Sequence, residues 1–366
     1  MSPARPPQRV AAVDALRALA LLPVVAVNWG GYGALPDMGP MAPPTPAGSG
    51  LAEAVSWVLH ALIAGKGISL LAFLFGYSQG LSQDRGEAGL ARRRRRLGKM
   101  LLLGVLHGTL LYMGDILTLY AVAGSVLAMW AGIRLSQLKV RMAVLLVLDL
   151  GVIALTFFMA TLVMDQTPST PLSQPAGWAE WTLRNGGHFL SSTIAFVILG
   201  LPTPLLLMTA GLMAARLRLF SHRRWEPMLS RWSRRWLLPA IAVNIVFTTL
   251  LWPGLRDGDA FISGQYAIFY LYPTLLLLSA AVPAMVLRLR RDPRLLHLLA
   301  PLGRHTLTLY LLSSVLSFVL FSGAGLAWKP GTVVVALLSL AYWGGGVALA
   351  HLIGPRRLPL EAWLSR

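Results

Sequence analysis

Ten stretches of about 20 mostly apolar residues constrain this chain more than any other feature, because an α-helix of that length crosses the hydrocarbon core of a membrane. Hydrophobic residues make up 56% of the chain and charged residues only 13%, against about 25% charged in a typical soluble protein. No stretch alternates like a strand, so the sequence predicts an all-α, polytopic transmembrane bundle and excludes soluble enzymes, disordered proteins and nucleic-acid-binding domains. The stretches cover about 10–29, 54–82, 97–113, 115–132, 139–163, 186–216, 235–252, 264–288, 304–323 and 331–353.

The basic residues predict how these helices are oriented. If ten helices alternate from a cytoplasmic N-terminus, 27 of the 32 Lys and Arg residues fall in cytoplasmic segments and only Arg184, Arg256 and Lys329 fall outside. This asymmetry favours N-in and C-in termini and accounts for most of the net charge of +18. We expect one integrated domain, with residues 1–132 as an N-terminal half that carries the candidate site and residues 133–366 as a C-terminal half.

Two of the stretches contain residues that interrupt helices. Gly65-Lys66-Gly67 predicts a broken or re-entrant second span, which membranes tolerate where the irregular backbone lines a protein cavity. Pro202 and Pro204 predict a kink in segment 186–216. Gly104 and Gly108 form a small-xxx-small pair, which is more often a sign of close helix packing than of chemistry.

Ionisable and amide side chains within the spans are candidates for function because they are costly there. Asp14 and Arg17 share a helix face and predict either a structural ion pair or a donor-binding role at the cytoplasmic mouth. Lys66 predicts either a pair with an acid on another helix or a contact with an anionic substrate. Asn28 precedes Trp29-Gly30-Gly31, and this spacing alone favours a helix C-cap.

His107 and Asp115 are the most suggestive pair, because a helical hairpin would bring them towards each other. A carboxylate beside an imidazole raises its basicity and fixes its tautomer, as a general base requires. The alternatives are an N-cap role for Asp115 and an interhelical hydrogen bond for His107. Asp149 has no obvious local partner, and His305 is expected at the membrane interface.

Several catalytic classes lack the residues they need. The chain has no cysteine, which excludes a thioester-linked enzyme intermediate and thiolate metal ligands. It has no HExxH, Walker or GxSxG motif, and its histidines and carboxylates are not spaced as one metal site. The sequence therefore predicts no metal.

Five ordered blocks of the sequence resemble the YeiB-like family of membrane proteins. They are Asp14-x-x-Arg17-x-Leu19-Ala20 with Val27-Asn28; Gly65-Lys66 with Phe73-Leu74-Phe75-Gly76; Leu106-His107-Gly108 with Gly114-Asp115-Ile116-Leu117 and Tyr120-Ala121; Gly303-Arg304 with Thr308-x-Tyr310; and Pro359-Leu360-Glu361-x-Trp363. The family is similar to the heparan-α-glucosaminide N-acetyltransferases, whose first helix the stretch VDALRALALLPVVAVNWGG also resembles.

The resemblance implies that acyl-CoA enters from the cytosol and that its acyl group passes to an acceptor on the far side. It implicates an asparagine at the position of Asn28 and a nearby histidine. The loop after Asn28 has no histidine before His60, so either His60 or His107 would act, or the activity differs. The resemblance also implies a bacterial plasma membrane.

The leading hypothesis is thus an acyltransferase, with acyl-CoA and membrane lipid as partners and a hydroxyl or amine acceptor that is not identified. His107, Asp115 and Asn28 would be catalytic, as base, orienting carboxylate and oxyanion donor. The candidate acyl-CoA contacts are Arg17, Lys66, Arg92, Arg93, Arg94, Arg95, Arg96, Arg223 and Arg224, and the candidate substrate contacts are His60, Tyr32 and Tyr120. The alternative is a secondary transporter or flippase, and both a monomer and a homo-oligomer stay open.

Overall fold

The computed structural model describes residues 10–34, 50–81, 87–130, 132–163, 177–257, 262, 265–266 and 269–365, and within them it contains helices and turns but no strand. The all-α prediction is confirmed. The α-helices are α1 (Ala11–Ala34), α2 (Leu51–Val58), α3 (Lys66–Leu81), α4 (Glu87–Leu110), α5 (Ile116–Met129), α6 (Leu135–Val163), α7 (Trp178–Gly200), α8 (Pro202–Arg216), α9 (Glu226–Asp257), α10 (Leu271–Arg291), α11 (Pro293–Gly303), α12 (Thr306–Phe321), α13 (Thr332–Ile353) and α14 (Pro359–Ser365).

Fewer helices than predicted are long and apolar enough to cross a membrane. Seven segments of the described chain meet that standard, and α11 with α12, bent by 63°, would form an eighth. The predicted number of ten is only roughly consistent with this count, and the difference lies at the hairpin α4–α5, because α5 has 14 residues and so rises only about 21 Å, while α4 begins with an arginine-rich half. Leaving out two adjacent helices does not change the alternation of the others, so eight spans agree with termini on one side.

The second span is broken where the sequence predicts a break. A π-helical turn, Leu59–Ile63, follows α2, and α3 begins at Lys66. Gly65 between them has a φ of +75°, and a Cβ there would lie 1.9 Å from the Tyr270 ring. Only glycine fits both this conformation and this contact.

The helix predicted to kink at Pro202 is also interrupted there. α7 ends at Gly200 and α8 begins at Pro202, with Leu201 between them. Proline has no N–H to continue the hydrogen-bond ladder, which explains the position of the interruption.

Helix α1 lies at the centre of the bundle, where it contacts α3, α11, α12 and α13. Its alanines allow close packing, and Gly303 of α11 lies directly against the backbone of Asp14. Helix α6, in contrast, is peripheral and exposes Val147 and Leu148, as a lipid-facing helix does. The candidate residues of α1 therefore lie at the centre of the bundle.

Candidate functional site

His107 and Asp115 meet across the hairpin between α4 and α5, as predicted. His107 Nδ1 lies 2.8 Å from Asp115 Oδ1, and both side chains are almost fully buried. The other carboxylate oxygen, Oδ2, accepts a hydrogen bond from the backbone N–H of Thr118 at 2.7 Å. Asp115 is therefore the N-cap of α5 and the hydrogen-bond partner of His107 at once.

The close approach of α4 and α5 depends on Gly104. A Cβ at this position would lie 2.5 Å from the Thr118 nitrogen and 2.7 Å from Asp115 Oδ2, well inside ordinary contact distance. Gly108, one turn later, packs against the ring of Phe189 in the same way. The packing interpretation of this glycine pair is thus confirmed, and the packing itself positions the carboxylate.

The hydrogen bond to Asp115 determines which nitrogen of His107 carries the proton. A carboxylate can only accept, so Nδ1 is the donor, and in the neutral imidazole Nε2 keeps its lone pair. Nε2 is buried and has no hydrogen-bond partner among the described residues. A buried imidazole with one nitrogen oriented by a carboxylate and the other unoccupied is the arrangement of a general base.

Asn28 lies in the same cluster, through Tyr112. The Tyr112 hydroxyl is 3.4 Å from Asn28 Oδ1, and the Tyr112 ring centroid is 6.0 Å from that of His107. Because α1 continues to Ala34, Asn28 is inside the helix, and the predicted C-cap is wrong. The structure therefore brings His107, Asp115 and Asn28 together.

Two residues of this cluster were missed by the sequence interpretation of the site. Tyr310 of α12 has its ring centroid 5.3 Å from that of His107. Asn185 of α7 holds the turn after α4, since its amide donates to the carbonyls of Gly108 and Thr109 and accepts from the Met113 N–H. Both are far from His107 in sequence; only the block around Tyr310 gave a signal, and nothing marked Asn185.

A small pocket lies beside the pair. It is lined by Asp115 and Thr118 of the hairpin together with residues of α7, and its volume of about 30 Å³ is that of one water molecule. The Thr118 hydroxyl, also buried, has no hydrogen-bond partner among the described residues.

Arginines converge at the other end of α1 and α4. Arg17 pairs with Asp14 at 2.8 Å and also donates to the Ser78 hydroxyl, which confirms the predicted ion pair. Desolvation, and then repulsion from Arg17 and Arg357, lower the pKa of Arg96, although its exposed side chain leaves solvent to screen part of this repulsion. Arg357 is a further basic residue of this end that the sequence interpretation did not assign.

The spacing along the two helices is the same. Arg17 precedes Asn28 by eleven residues on α1, and Arg96 precedes His107 by eleven residues on α4. Eleven residues are three helical turns, so each pair shares a helix face and is separated by about 16 Å. On both helices the arginine therefore lies on the same face as Asn28 or His107, three turns nearer the N-terminus of the helix.

Most of the remaining candidate arginines are exposed. Arg94 and Arg95 are exposed on the first half of α4. Arg223 and Arg224 lie on an exposed turn before α9, where Arg224 stacks on Trp225. No ligand is needed to explain these four exposed arginines, since positive residues accumulate on the cytoplasmic side of membrane proteins. Two others of the group, Arg92 and Arg93, lie in the same half of α4 as Arg94 and Arg95.

The other predicted substrate residues lie elsewhere. The Tyr120 hydroxyl donates to the Ile68 carbonyl at 2.5 Å. His60 Nδ1 lies 2.8 Å from the Ser56 carbonyl, and its ring contacts Trp252 and Tyr266. The structure thus joins Asn28 to His107 rather than to His60, and the side chain of Tyr32 lies outside the described residues.

Three other charged or ionisable residues have partners or positions that the sequence did not predict. Lys66 contacts a carbonyl rather than an acid: its ammonium lies 3.4 Å from the His60 oxygen. Asp149 accepts hydrogen bonds from Thr203 at 2.5 Å and Tyr272 at 3.2 Å, which tie α6 to α8 and α10. His305 is buried at the bend before α12 instead of exposed at an interface.

Comparison with known proteins assigns part of the chain. No curated protein matches it. Residues 214–354 match the family described as protein of unknown function (DUF418), a stretch of less than half the chain that begins at the end of α8, includes α9 to α13 and leaves Asn28, His107 and Asp115 outside. This match confirms the predicted resemblance for these residues, and together with the apolar helices it is consistent with an integral membrane protein. Residues 214–354 are thus similar to the family of YeiB-like membrane proteins.

Proposed function

We propose that the protein is an acyltransferase of the bacterial plasma membrane, which moves an acyl group from cytoplasmic acyl-CoA to a hydroxyl or amine acceptor. The observation that carries the proposal is the buried His107–Asp115 pair, in which Nε2 has no described partner. Structural histidines in membranes usually use both nitrogens or face water, because an unpaired buried polar atom is costly. A free Nε2 is explained if a substrate proton occupies it during the reaction.

In this mechanism His107 Nε2 accepts the proton of the acceptor hydroxyl or amine as that atom attacks the thioester carbonyl. Asp115 stabilises the imidazolium that forms. The carbon–sulfur bond then breaks, and the departing thiolate takes the proton from Nε2. With no cysteine in the chain, the acyl group passes from CoA to the acceptor without a thioester on the enzyme.

Asn28 would stabilise the negative charge on the thioester oxygen. The Tyr112 hydroxyl donates to Asn28 Oδ1, so the amide is oriented with its NH₂ group free to donate elsewhere. An oriented donor in a water-poor site stabilises an oxyanion without reorganisation at the moment of reaction. Tyr112 is then a positioning residue for Asn28.

The arginine end would hold the CoA phosphates. In addition to desolvation, repulsion from Arg17 and Arg357 lowers the pKa of Arg96, so both are close to it, and a guanidinium group can bind two phosphate oxygens at once. The rise of about 16 Å from Arg96 to His107 is a distance that the extended pantetheine arm of CoA can cover. A donor bound by its phosphates on the inner side could therefore present its thioester to His107.

Purified protein provides the test. We expect acetyl-CoA to raise the thermal unfolding temperature and to lose its acetyl group slowly to water or to an added acceptor. His107→Ala should abolish turnover and keep the stabilisation by acetyl-CoA, while Arg96→Gln with Arg357→Gln should weaken that stabilisation. If neither acetyl-CoA nor a longer acyl-CoA stabilises the protein or loses its acyl group, the proposal is wrong.

A transporter is the second candidate, and the broken second span favours it. Discontinuous helices at membrane depth bind substrates and ions in many secondary transporters. This candidate predicts uptake of a solute into liposomes that contain the protein and no acyl donor. Uptake that survives His107→Ala would favour it over the acyltransferase.

A further inference from the structure

Lys66 is a buried cation for which the described part of the chain provides no counter-charge. Only 7% of the residue is exposed, and its one described hydrogen bond is the long contact of 3.4 Å to the neutral His60 carbonyl. An ammonium group has three donors, so two remain. A charge in this position is costly unless something compensates it.

The backbone around Lys66 adds more donors to the same place. Ser69 is the first residue of α3 whose backbone N–H donates a hydrogen bond to a carbonyl one turn earlier, that of Gly65. The N–H groups of Lys66, Gly67 and Ile68 come before it, at the positive end of a 16-residue helix. Donors and a positive charge at a helix N-terminus are the features of an anion site.

The side chains of Tyr266 and Tyr270, next to the break, are aromatic and carry no negative charge. The Tyr266 hydroxyl donates to the His60 carbonyl at 2.6 Å, the same oxygen that Lys66 contacts. The Tyr266 and Tyr270 rings are stacked with centroids 6.0 Å apart, and the Tyr270 ring covers Gly65. Hydroxyl groups can share the carbonyl with Lys66, but they do not neutralise its charge.

The N-terminus of α3 is directed at the candidate catalytic cluster. Gly67 packs against Ala20 and Val24 of α1, and Asn28 lies one turn beyond Val24 on the same face. The Tyr120 hydroxyl reaches the Ile68 carbonyl, and Asp115 precedes Tyr120 by five residues. Both neighbouring helices therefore place the catalytic cluster little more than one turn beyond the start of α3, about 7 Å along the bundle.

We propose that the break at Gly65–Ile68 binds an anionic oxygen group, a carboxylate or a phosphate ester, of the acceptor whose hydroxyl or amine His107 deprotonates. The assignment of this anion to the acceptor rests on the proposed function. This assignment makes Lys66 a contact of the acceptor rather than of CoA. The reason is distance: Ser78, the partner of Arg17, lies twelve residues further along α3, which is about 18 Å. The acceptor would then be an anionic alcohol or amine.

The test measures thermal unfolding of the purified protein with butyrate, ethyl phosphate or a short-chain phosphatidate, and with neutral butanol as control. We expect at least one of the anions to raise the unfolding temperature of the wild type, and Lys66→Gln to bind it about 30-fold more weakly. Lys66→Arg should retain binding, and Lys99→Gln should not change it. The probe that binds distinguishes a carboxylate, a soluble phosphate and a lipid headgroup as the source.

The unfolding temperature without ligand gives a second measurement. If the charge of Lys66 is reserved for a ligand, Lys66→Met should unfold at the same temperature as the wild type or higher, since an uncompensated buried charge is removed. A fall of several degrees would show that Lys66 stabilises the broken helix through the His60 carbonyl, and would overturn the proposal. An identical anion response in Lys66→Gln and the wild type would overturn it too.

The two proposals can fail separately. Stabilisation by acetyl-CoA tests the acyltransferase and should be the same in Lys66→Gln as in the wild type. If acetyl-CoA has no effect while the anion response still depends on Lys66, the acyltransferase is wrong and the anion site remains. If acetyl-CoA binds and no anion response depends on Lys66, the anion site is wrong.

Discussion

Two histidines of the membrane-embedded bundle have the same local geometry and different partners. His107 and His60 each have Nδ1 at 2.8 Å from an oxygen, but the oxygen belongs to the Asp115 carboxylate for His107 and to the Ser56 backbone carbonyl for His60. A carboxylate stabilises an imidazolium, and a carbonyl within the same helix chiefly fixes a ring. The partner's charge, more than the distance, separates a candidate base from a packing residue.

The largest expected effect on acyl transfer comes from removing the imidazole rings of His107 and His60, one at a time. His107→Ala should lower acyl transfer by about 10²- to 10⁴-fold, the usual contribution of a general base. His60→Ala should lower it less than about tenfold, because the ring contacts Trp252 and Tyr266 rather than the cluster. Turnover of acetyl-CoA by the purified variants measures both. Equal losses would remove the distinction between the two histidines.

Asp115→Asn addresses the carboxylate itself. We expect a fall in turnover of about 10²-fold or more, since the amide no longer stabilises the imidazolium. The unfolding temperature should change little, because asparagine is also a good N-cap. Asp149→Asn is the matched control, a carboxylate of equal burial that has Thr203 and Tyr272 as partners instead of a histidine. A comparable loss of turnover in the control would point to a global effect.

Gly104→Ala tests whether helix packing holds the pair in place. The added Cβ would overlap with Thr118 and Asp115, so the hairpin must open, at a cost of about 1–3 kcal/mol of stability and with a loss of turnover. Gly98→Ala on the same helix meets nothing within 4 Å and should stabilise the protein by about 0.5–1 kcal/mol. Denaturation in detergent gives both values, and equal behaviour of the two variants would contradict the packing argument.

The smallest effect is expected in the middle of α4. Lys99 donates to the Trp363 carbonyl at 2.7 Å and lies over the Trp363 ring, so Lys99→Ala should cost about 1 kcal/mol. Turnover should be unchanged if the histidine end alone sets the chemistry. A loss of turnover larger than the loss of folded protein would show that the position of α4 along its axis also matters.

Local patterns in the sequence predicted the features that depend on neighbouring residues. The break at Gly65, the interruption at Pro202 and the meeting of His107 with Asp115 across a short hairpin are all of this kind. The ion pair of Asp14 and Arg17, one turn apart, is another.

Features that depend on distant segments could not be predicted in the same way. The proximity of Tyr310 to His107, of Asn185 to the α4 turn and of Arg357 to Arg96 arises from the tertiary fold. Hydropathy also overestimated the number of spans, because it rates α5 as apolar without regard to its length of 14 residues. The cap predicted at Asn28 failed because glycine after an apolar run also occurs inside membrane helices.

The C-terminal helix α14 contacts two helices that are synthesised before it. Glu361 of α14 accepts hydrogen bonds from the backbone and hydroxyl of Thr308 on α12, while Trp363 holds Lys99 on α4. The ribosome makes α14 after the other helices of the bundle, so α4 and α12 are inserted before the residues that fasten them together exist. The contacts of α4 and α12 with α14 can therefore form only after residues 359–365 have been synthesised.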